Sequence, residues 1–315
     1  MTKKIFYLFV LVLLGGGFFL TNGGKVYAQA GRSLTIIPPK FDGLFANPGD
    51  TAVETLRVRN DSDTPVTYGI KIEDFTTSGE EGQVVLEEGE SDKNFSLASW
   101  IEMETSDIVL QPLEERTISF VINVPRNAEP GGHYASILFQ STAEQIPGNA
   151  AVAQRVGSLV LLRVSGNVDE NAELLTFSTP NYQKSGPITF SMRVENKGNV
   201  HVQPQGTIII KNMFGKKVAE IPLDSRNVLP GAVRKMDTVW NQERLLGRYT
   251  ATLISQYGEG AKKNTLSAAI NFTVASPVAI VLIVVGTIAV LGILVFMIAG
   301  WGRMSKAMKM IATGK

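Results

Sequence analysis

Two histidines, His133 and His201, are the only imidazoles in the 315-residue chain, and there is no cysteine. No HExxH or His-x-His spacing joins them, so a metal site would have to draw its ligands from unrelated loops. The absence of cysteine excludes disulfides, thiolate metal sites and a thiol nucleophile. A run of carboxylates, Glu80, Glu81, Glu87, Glu88 and Glu90, could bind calcium or supply an acid–base pair. Its spacing fits no EF-hand loop, however, and two carboxylates on one loop are badly placed to flank a sugar bond. The expectation for this run is a solvated charged insertion. No Gly-rich phosphate loop and no G-x-S-x-G elbow occurs. The triplets "NDS", "NFS" and "NFT" fit a glycosylation sequon without a signal that they are used, and "VLPGA" lies too far from the C-terminus to be a sorting signal. We therefore expect no catalytic residue, no metal and no cofactor.

The elements that would have to position any such group are strands. Lys+Arg number 30 and Asp+Glu 29, a balance that argues against nucleic acid as a partner. "TLRVRND" places Leu56 and Val58 on one face; after a "SDTP" turn, "VTYGIKI" places Val66, Tyr68, Ile70 and Ile72 on one face. This predicts a β-hairpin. Seven further apolar runs, from "RTISFVINVP" to "AAINFTV", follow at intervals suited to short strands and turns. An all-β body of two tandem Ig-like sandwiches is expected.

Internal similarity supports the duplication. "LRVRNDSDTPV" (56–66) matches "MRVENKGNVHV" (192–202), "LQPLEERTISF" (110–120) matches "VLPGAVRKMDT" (228–238), and "PGGHYASILF" (130–139) matches "LLGRYTATLI" (245–254). The order is kept, which predicts sandwiches over 31–165 and 168–275 with an insertion near 73–107 in the first. His201 then falls opposite Pro65 or Thr67, on the solvent side of a hairpin. Tyr134 and Tyr249 are aligned, either as tyrosine corners or as ordinary strand aromatics.

Both ends carry membrane signals. Residues 1–30 have Lys3-Lys4, an apolar stretch and "VYAQA", as a secretory signal peptide does. Residues 277–300 include 22 uncharged positions, Val278 to Ala299, enough to span a hydrocarbon core. Arg303, Lys306, Lys309 and Lys315 in the tail 301–315 place the C-terminus in the cytoplasm and the sandwiches outside. Trp301, Met304, Met308 and Ile311 recur at helical spacing, so the tail is either an amphipathic helix on the inner leaflet or a frayed stop-transfer segment.

The order of signal peptide, "IIPPKFDGLFANPGDTAVETLRVRNDSDTPVTYGIKIEDFTT", "SLASWIEMETSDIVLQPLEERTISFVINVPRNAEPGGHYASILF", second sandwich and membrane helix resembles the WxL-interacting proteins of Gram-positive bacteria. That resemblance implies a membrane-anchored surface protein whose first domain binds peptidoglycan and whose second binds a host or other ligand, with a WxL-type surface protein as partner. It transfers no catalytic residue. The binding surface expected from the residues is Trp100, which reads equally as a core residue, with Gly131, Gly132, His133 and Tyr134. The alternatives are an Ig-like chaperone or accessory subunit of a membrane complex, working by strand donation, and a carbohydrate-active enzyme that has lost its catalytic domain.

Overall fold

The structure, a computed structural model, describes residues 34–87, 95–141, 155–259 and 263–313, with side chains as far as Ile298. The segment expected to be a signal peptide and the carboxylates Glu88 and Glu90 lie outside the described residues.

The first sandwich begins with a strand that changes sheets. β1 (Leu34–Ile37) pairs with β3 (Thr51–Asn60), and β2 (Lys40–Ala46) crosses to the facing sheet. One sheet runs β1-β3-β8-β6, with β6 at Ile101–Met103 and β8 at Glu115–Asn123. The other runs β2-β10-β9-β4-β5, from β4 (Val66–Ser78) and β5 (Gln83–Glu87) to β9 (Gly131–Ser141) and β10 (Arg155–Val164). β7 (Asp107–Leu110) shares the outer side of β4 with β5, pairing at the opposite end of that strand. Alternation puts Leu56, Val58, Phe120, Ile122, Ile137 and Phe139 between the sheets, where all are fully buried.

The second sandwich repeats this path. β11 (Ala172–Ser178), β13 (Ile188–Asn196) and β16 (Val233–Trp240) form one sheet. The other runs β12-β18-β17-β14-β15, from β12 (Tyr182–Gln183), β14 (Gln205–Asn212) and β15 (Lys217–Pro222) to β17 (Gly247–Tyr257) and β18 (Asn264–Val274). As β2 lies parallel to β10, so β12 lies parallel to β18. Even β7 has a vestige: its Val66–Leu110 pair recurs as a single bridge between Val202 and Val228. That equivalence aligns His201 with Pro65. A helix, α1 (Pro277–Thr313), follows β18 after two residues.

The expected hairpins are absent. β3 and β4 lie in different sheets, as do β13 and β14. The turns "NDSDTP" and "NKGNVH" are arches across the core, and a buried asparagine builds each. Asn60 Nδ2 donates to the carbonyls of Thr64 (2.8 Å), Leu110 (3.2 Å) and Gln111 (3.1 Å), while its Oδ1 accepts from the Ser62 amide (3.1 Å). Asn196 repeats this with Val200 (2.7 Å), Val228 (2.8 Å) and the Gly198 amide (2.9 Å). Both side chains are fully buried. Each amide ties the arch to backbone carbonyls of its own turn and of the segment facing it, which is why an arch closes where a short polar turn suggested a hairpin.

Candidate functional site

The residues expected to form a binding surface lie away from solvent, Trp100 in keeping with its alternative reading as a core residue. Gly131, Gly132, His133 and Tyr134 are all buried and Trp100 is half-buried against the first core. His133 packs on Trp100 with ring centroids 4.3 Å apart. Its two ring nitrogens face the carbonyls of Ser96 (3.0 Å) and Glu129 (2.9 Å), which leaves neither for a metal or a substrate. The short 3-10 helix Ala98–Trp100 is held by buried Asp74. Its Oδ1 accepts from the amides of Leu97 (2.9 Å) and Ala98 (2.7 Å), and its Oδ2 from the Ser96 hydroxyl (2.6 Å).

Tyr134 is displaced by one position from its expected counterpart. Gly131 and Gly247 open β9 and β17 with φ +135° and +117°, so His133, not Tyr134, corresponds to Tyr249. Side chains alternate along a strand, and a shift of one reverses the face. Tyr249 therefore points into its own core, its hydroxyl on the Leu246 carbonyl (3.1 Å) as in a tyrosine corner. Tyr134 points out of the first sandwich and into the second. Its hydroxyl stands 1.9 Å from where a Gly132 Cβ would be, so only glycine fits there. Burial pushes its phenol well above the ordinary range, and the backbone of His201 opposes part of that.

These residues form a joint between the sandwiches. Phe75, Tyr134 and Leu161, with Leu86, Phe95 and Leu159 beside them, meet Leu229 and Ala232 in one apolar cluster. Asn199 clasps its rim: its carbonyl accepts from the Gly132 amide (2.8 Å), its Nδ2 donates to the Pro130 carbonyl (3.1 Å), and its Oδ1 accepts from the Asp169 amide in the connection (2.7 Å). His201 lies beside this clasp, its ring edge on Tyr134 at 5.7 Å between centroids. It is in the joint, not on the solvent side of a turn. Burial lowers its pKa to about 4; a hydrogen bond to the Asp42 backbone opposes this, and the charge of Arg163 adds to it.

The acidic insertion is also part of the joint. Glu80, in the turn between β4 and β5, makes a bidentate pair with Arg193 on β13, and its carbonyl accepts from the Lys235 amide on β16 (2.8 Å). Glu81 lies 3.9 Å from Lys235 Nζ. Arg193 and Lys235 hold the Glu80 carboxylate below the usual range, the Arg193 hydrogen bond first. The solvated run expected here is thus, at Glu80 and Glu81, an electrostatic bracket. Arg163 pairs with Glu170 on the far side of the joint. Among the described residues no cluster of His, Asp and Glu is arranged to hold a metal ion.

Two recesses flank the joint. One, of about 200 Å³, lies among Asp74, Phe75, Phe95, Tyr134, Leu229 and Pro230, next to Glu87 at the end of β5. The other, of about 210 Å³, is polar, with Asp42, Arg163, Glu170, His201 and Lys263 among its walls. Beside the first recess runs β5, the last strand of its sheet. Among the described residues β5 pairs only with β4, and its "QVVLE" exposes Val84 and Val85. The corresponding edge strand of the second sandwich, β15, reads "KVAEIP", with the lysine, glutamate and proline that blunt an edge.

The sequence matches no protein-family model and no curated protein. Among solved structures the chain is similar to the class 5 fimbriae chaperone CfaA, at 11% identity and a TM-score of 0.39 over 75% of this chain and 98% of that one. It is also similar to the E. coli chaperone DraB, at 13% identity and a TM-score of 0.35 over 76% and 98%. A third is a protein of unknown function from Porphyromonas gingivalis, at 13% identity and a TM-score of 0.31 over 76% and 97%. With identities of 11–13% and TM-scores of 0.31–0.39, none of these likenesses carries a function to this chain.

Proposed function

We propose that the chain is a non-enzymatic, membrane-tethered recognition protein that takes up an extended segment of a partner protein on the open edge of β5. The observation that supports this is the contrast between two equivalent strands: β5 exposes Val84 and Val85 with no charge or proline before Glu87, whereas β15 is blunted. An added strand would use the backbone groups of β5 that have no strand partner among the described residues, and the adjoining recess at the joint would receive a side chain for specificity. The segment Pro277–Ile298, uncharged and of membrane-crossing length, holds the body at a membrane. The basic tail sets the sandwiches outside. In this reading the resemblance to WxL-interacting proteins would make the partner a surface protein of WxL type, with peptidoglycan as the competing ligand.

The test is in-cell photo-crosslinking from p-benzoylphenylalanine at Val85 of the full chain. A discrete polypeptide adduct that falls at least several-fold with Val84→Lys is expected. An adduct indifferent to that substitution would remove the edge from the reading. Sedimentation with purified cell wall, with no polypeptide adduct, would replace it by wall binding. The same edge would serve an assembly chaperone or accessory subunit. Pulse-chase separates the two, since a chaperone's adduct disappears as the captured subunit matures.

A further inference from the structure

The end of the second sandwich nearest the helix carries an exposed apolar tip inside a group of cations. Strand register fixes which residues stand there. Asn212 on β14 pairs with Tyr249 on β17, and Tyr249 pairs with Phe272 on β18. Phe272 is two residues before the end of β18, and only Ala275 and Ser276 separate that strand from α1. The connection is pinned: the Ala275 amide donates to the Gln183 carbonyl (3.0 Å) and the Tyr182 hydroxyl to the Ala275 carbonyl (2.6 Å). Beyond Asn212 the chain continues toward the same end as the tip of the β14–β15 hairpin, Met213-Phe214-Gly215. There Met213 is 66% and Phe214 84% exposed. Two strand spacings, about 10 Å, separate this tip laterally from β18.

The same end gathers charge of one sign. Lys211, Lys216 and Lys217 flank the tip, Lys184 follows β12, and Arg244 and Arg248 lie in or just after the β16–β17 connection, together with exposed Leu246. The carboxylates facing them are Glu243 in that connection and Glu220, which pairs with Lys217 at 2.8 Å. Among the described residues, six cations thus meet two anions at the end from which the membrane helix leaves.

We propose that this end is a membrane-contact surface, in which Met213 and Phe214 enter the headgroup layer while the surrounding lysines and arginines meet anionic phospholipids. The inference rests on the membrane-spanning reading of α1 and adds a second contact to it. The apolar span opens at Pro277, directly after Ala275 and Ser276, so the hydrocarbon boundary lies close to the end of β18. The interfacial layer on each side is about 5–8 Å deep. An apolar tip ringed by cations is the side-chain pattern that such a layer accepts. Two contacts, helix and hairpin, would set the tilt of the body on the membrane and hence the direction in which the joint and β5 face.

The absence of cysteine allows single labels in the full chain. Nitroxides on Met213→Cys, Ile288→Cys and Glu259→Cys are compared in vesicles of phosphatidylcholine with and without phosphatidylglycerol, by relaxation with lipid-soluble oxygen against a water-soluble nickel chelate. Ile288 reports the span and Glu259 the opposite end of the sandwich. We expect lipid-like relaxation at 213 in the anionic vesicles, reversed by Lys216→Glu with Lys217→Glu, and aqueous relaxation at 259 throughout. A water-exposed 213 beside a lipid-buried 288 would overturn the contact and leave the anchor standing. A water-exposed 288 would overturn both.

Discussion

At the level of single residues the duplication provides an internal control. Leu113 and Gly231 occupy the same place in the two copies, just before β8 and β16, and both have left-handed backbones, φ +58° and +72°. Glycine tolerates that region and leucine does not, and Leu113 gains little in return because its side chain is 71% exposed. Leu113→Gly is therefore expected to stabilise the first sandwich by up to about 1 kcal/mol, the relief of strain outweighing the added freedom of the unfolded chain. Urea unfolding measures it, and a loss of stability would show that the leucine packs in a way its exposure does not suggest. Asn60 and Asn196 carry the opposite lesson. In sequence each was a strand-ending polar residue, and only the carbonyls brought to it from 50 and 32 positions away make it the keystone of an arch.

At the level of elements, the shift between β9 and β17 decides what the joint is made of. Gly131 and Gly247 both need positive φ, so alanine strains either by about 1–3 kcal/mol. They differ in surroundings: a Cβ on Gly131 would lie 2.6 Å from the Asn199 carbonyl oxygen, and one on Gly247 meets nothing within 4 Å. Gly131→Ala should thus separate the sandwiches, whereas Gly247→Ala should only destabilise its own strand. Energy transfer between labels on Asp63→Cys and Ser267→Cys, one in each sandwich, reads the difference; equal distances in the two alanine variants would refute it. The hydrophobic pattern of β9 was legible in the sequence, and the position of Tyr134 on it was not. Matching Gly-His-Tyr to Gly-Arg-Tyr is the natural alignment of letters, but the backbone aligns the glycines with positive φ, one residue earlier.

At the level of the whole molecule, the joint makes two sandwiches into one body, and His201 ties that body to pH. Its pKa is about 4 in the folded chain against about 6.5 when unfolded. The folded state therefore resists protonation: stability is complete above pH 6.5, falls as pH drops through the window between these values, and has lost at most about 3 kcal/mol below it. Because His201 sits between the sandwiches, the joint should open first. The same label pair should report increasing separation from pH 6.5 toward 4, with a flatter profile in His201→Gln; identical profiles would place the acid-sensitive group elsewhere.

Composition, alternation and internal similarity were sufficient for an all-β duplicated body and for an apolar segment of membrane-crossing length, because burial periodicity and hydrophobic length are local properties of a chain. Which strands share a sheet, which face Tyr134 occupies, and that Glu80 brackets the second sandwich were decided only by tertiary structure. Those are facts about partners distant in sequence. A short polar turn has the same letters whether it closes a hairpin or an arch, and a carboxylate on an insertion reads as solvated until the fold brings an arginine to it.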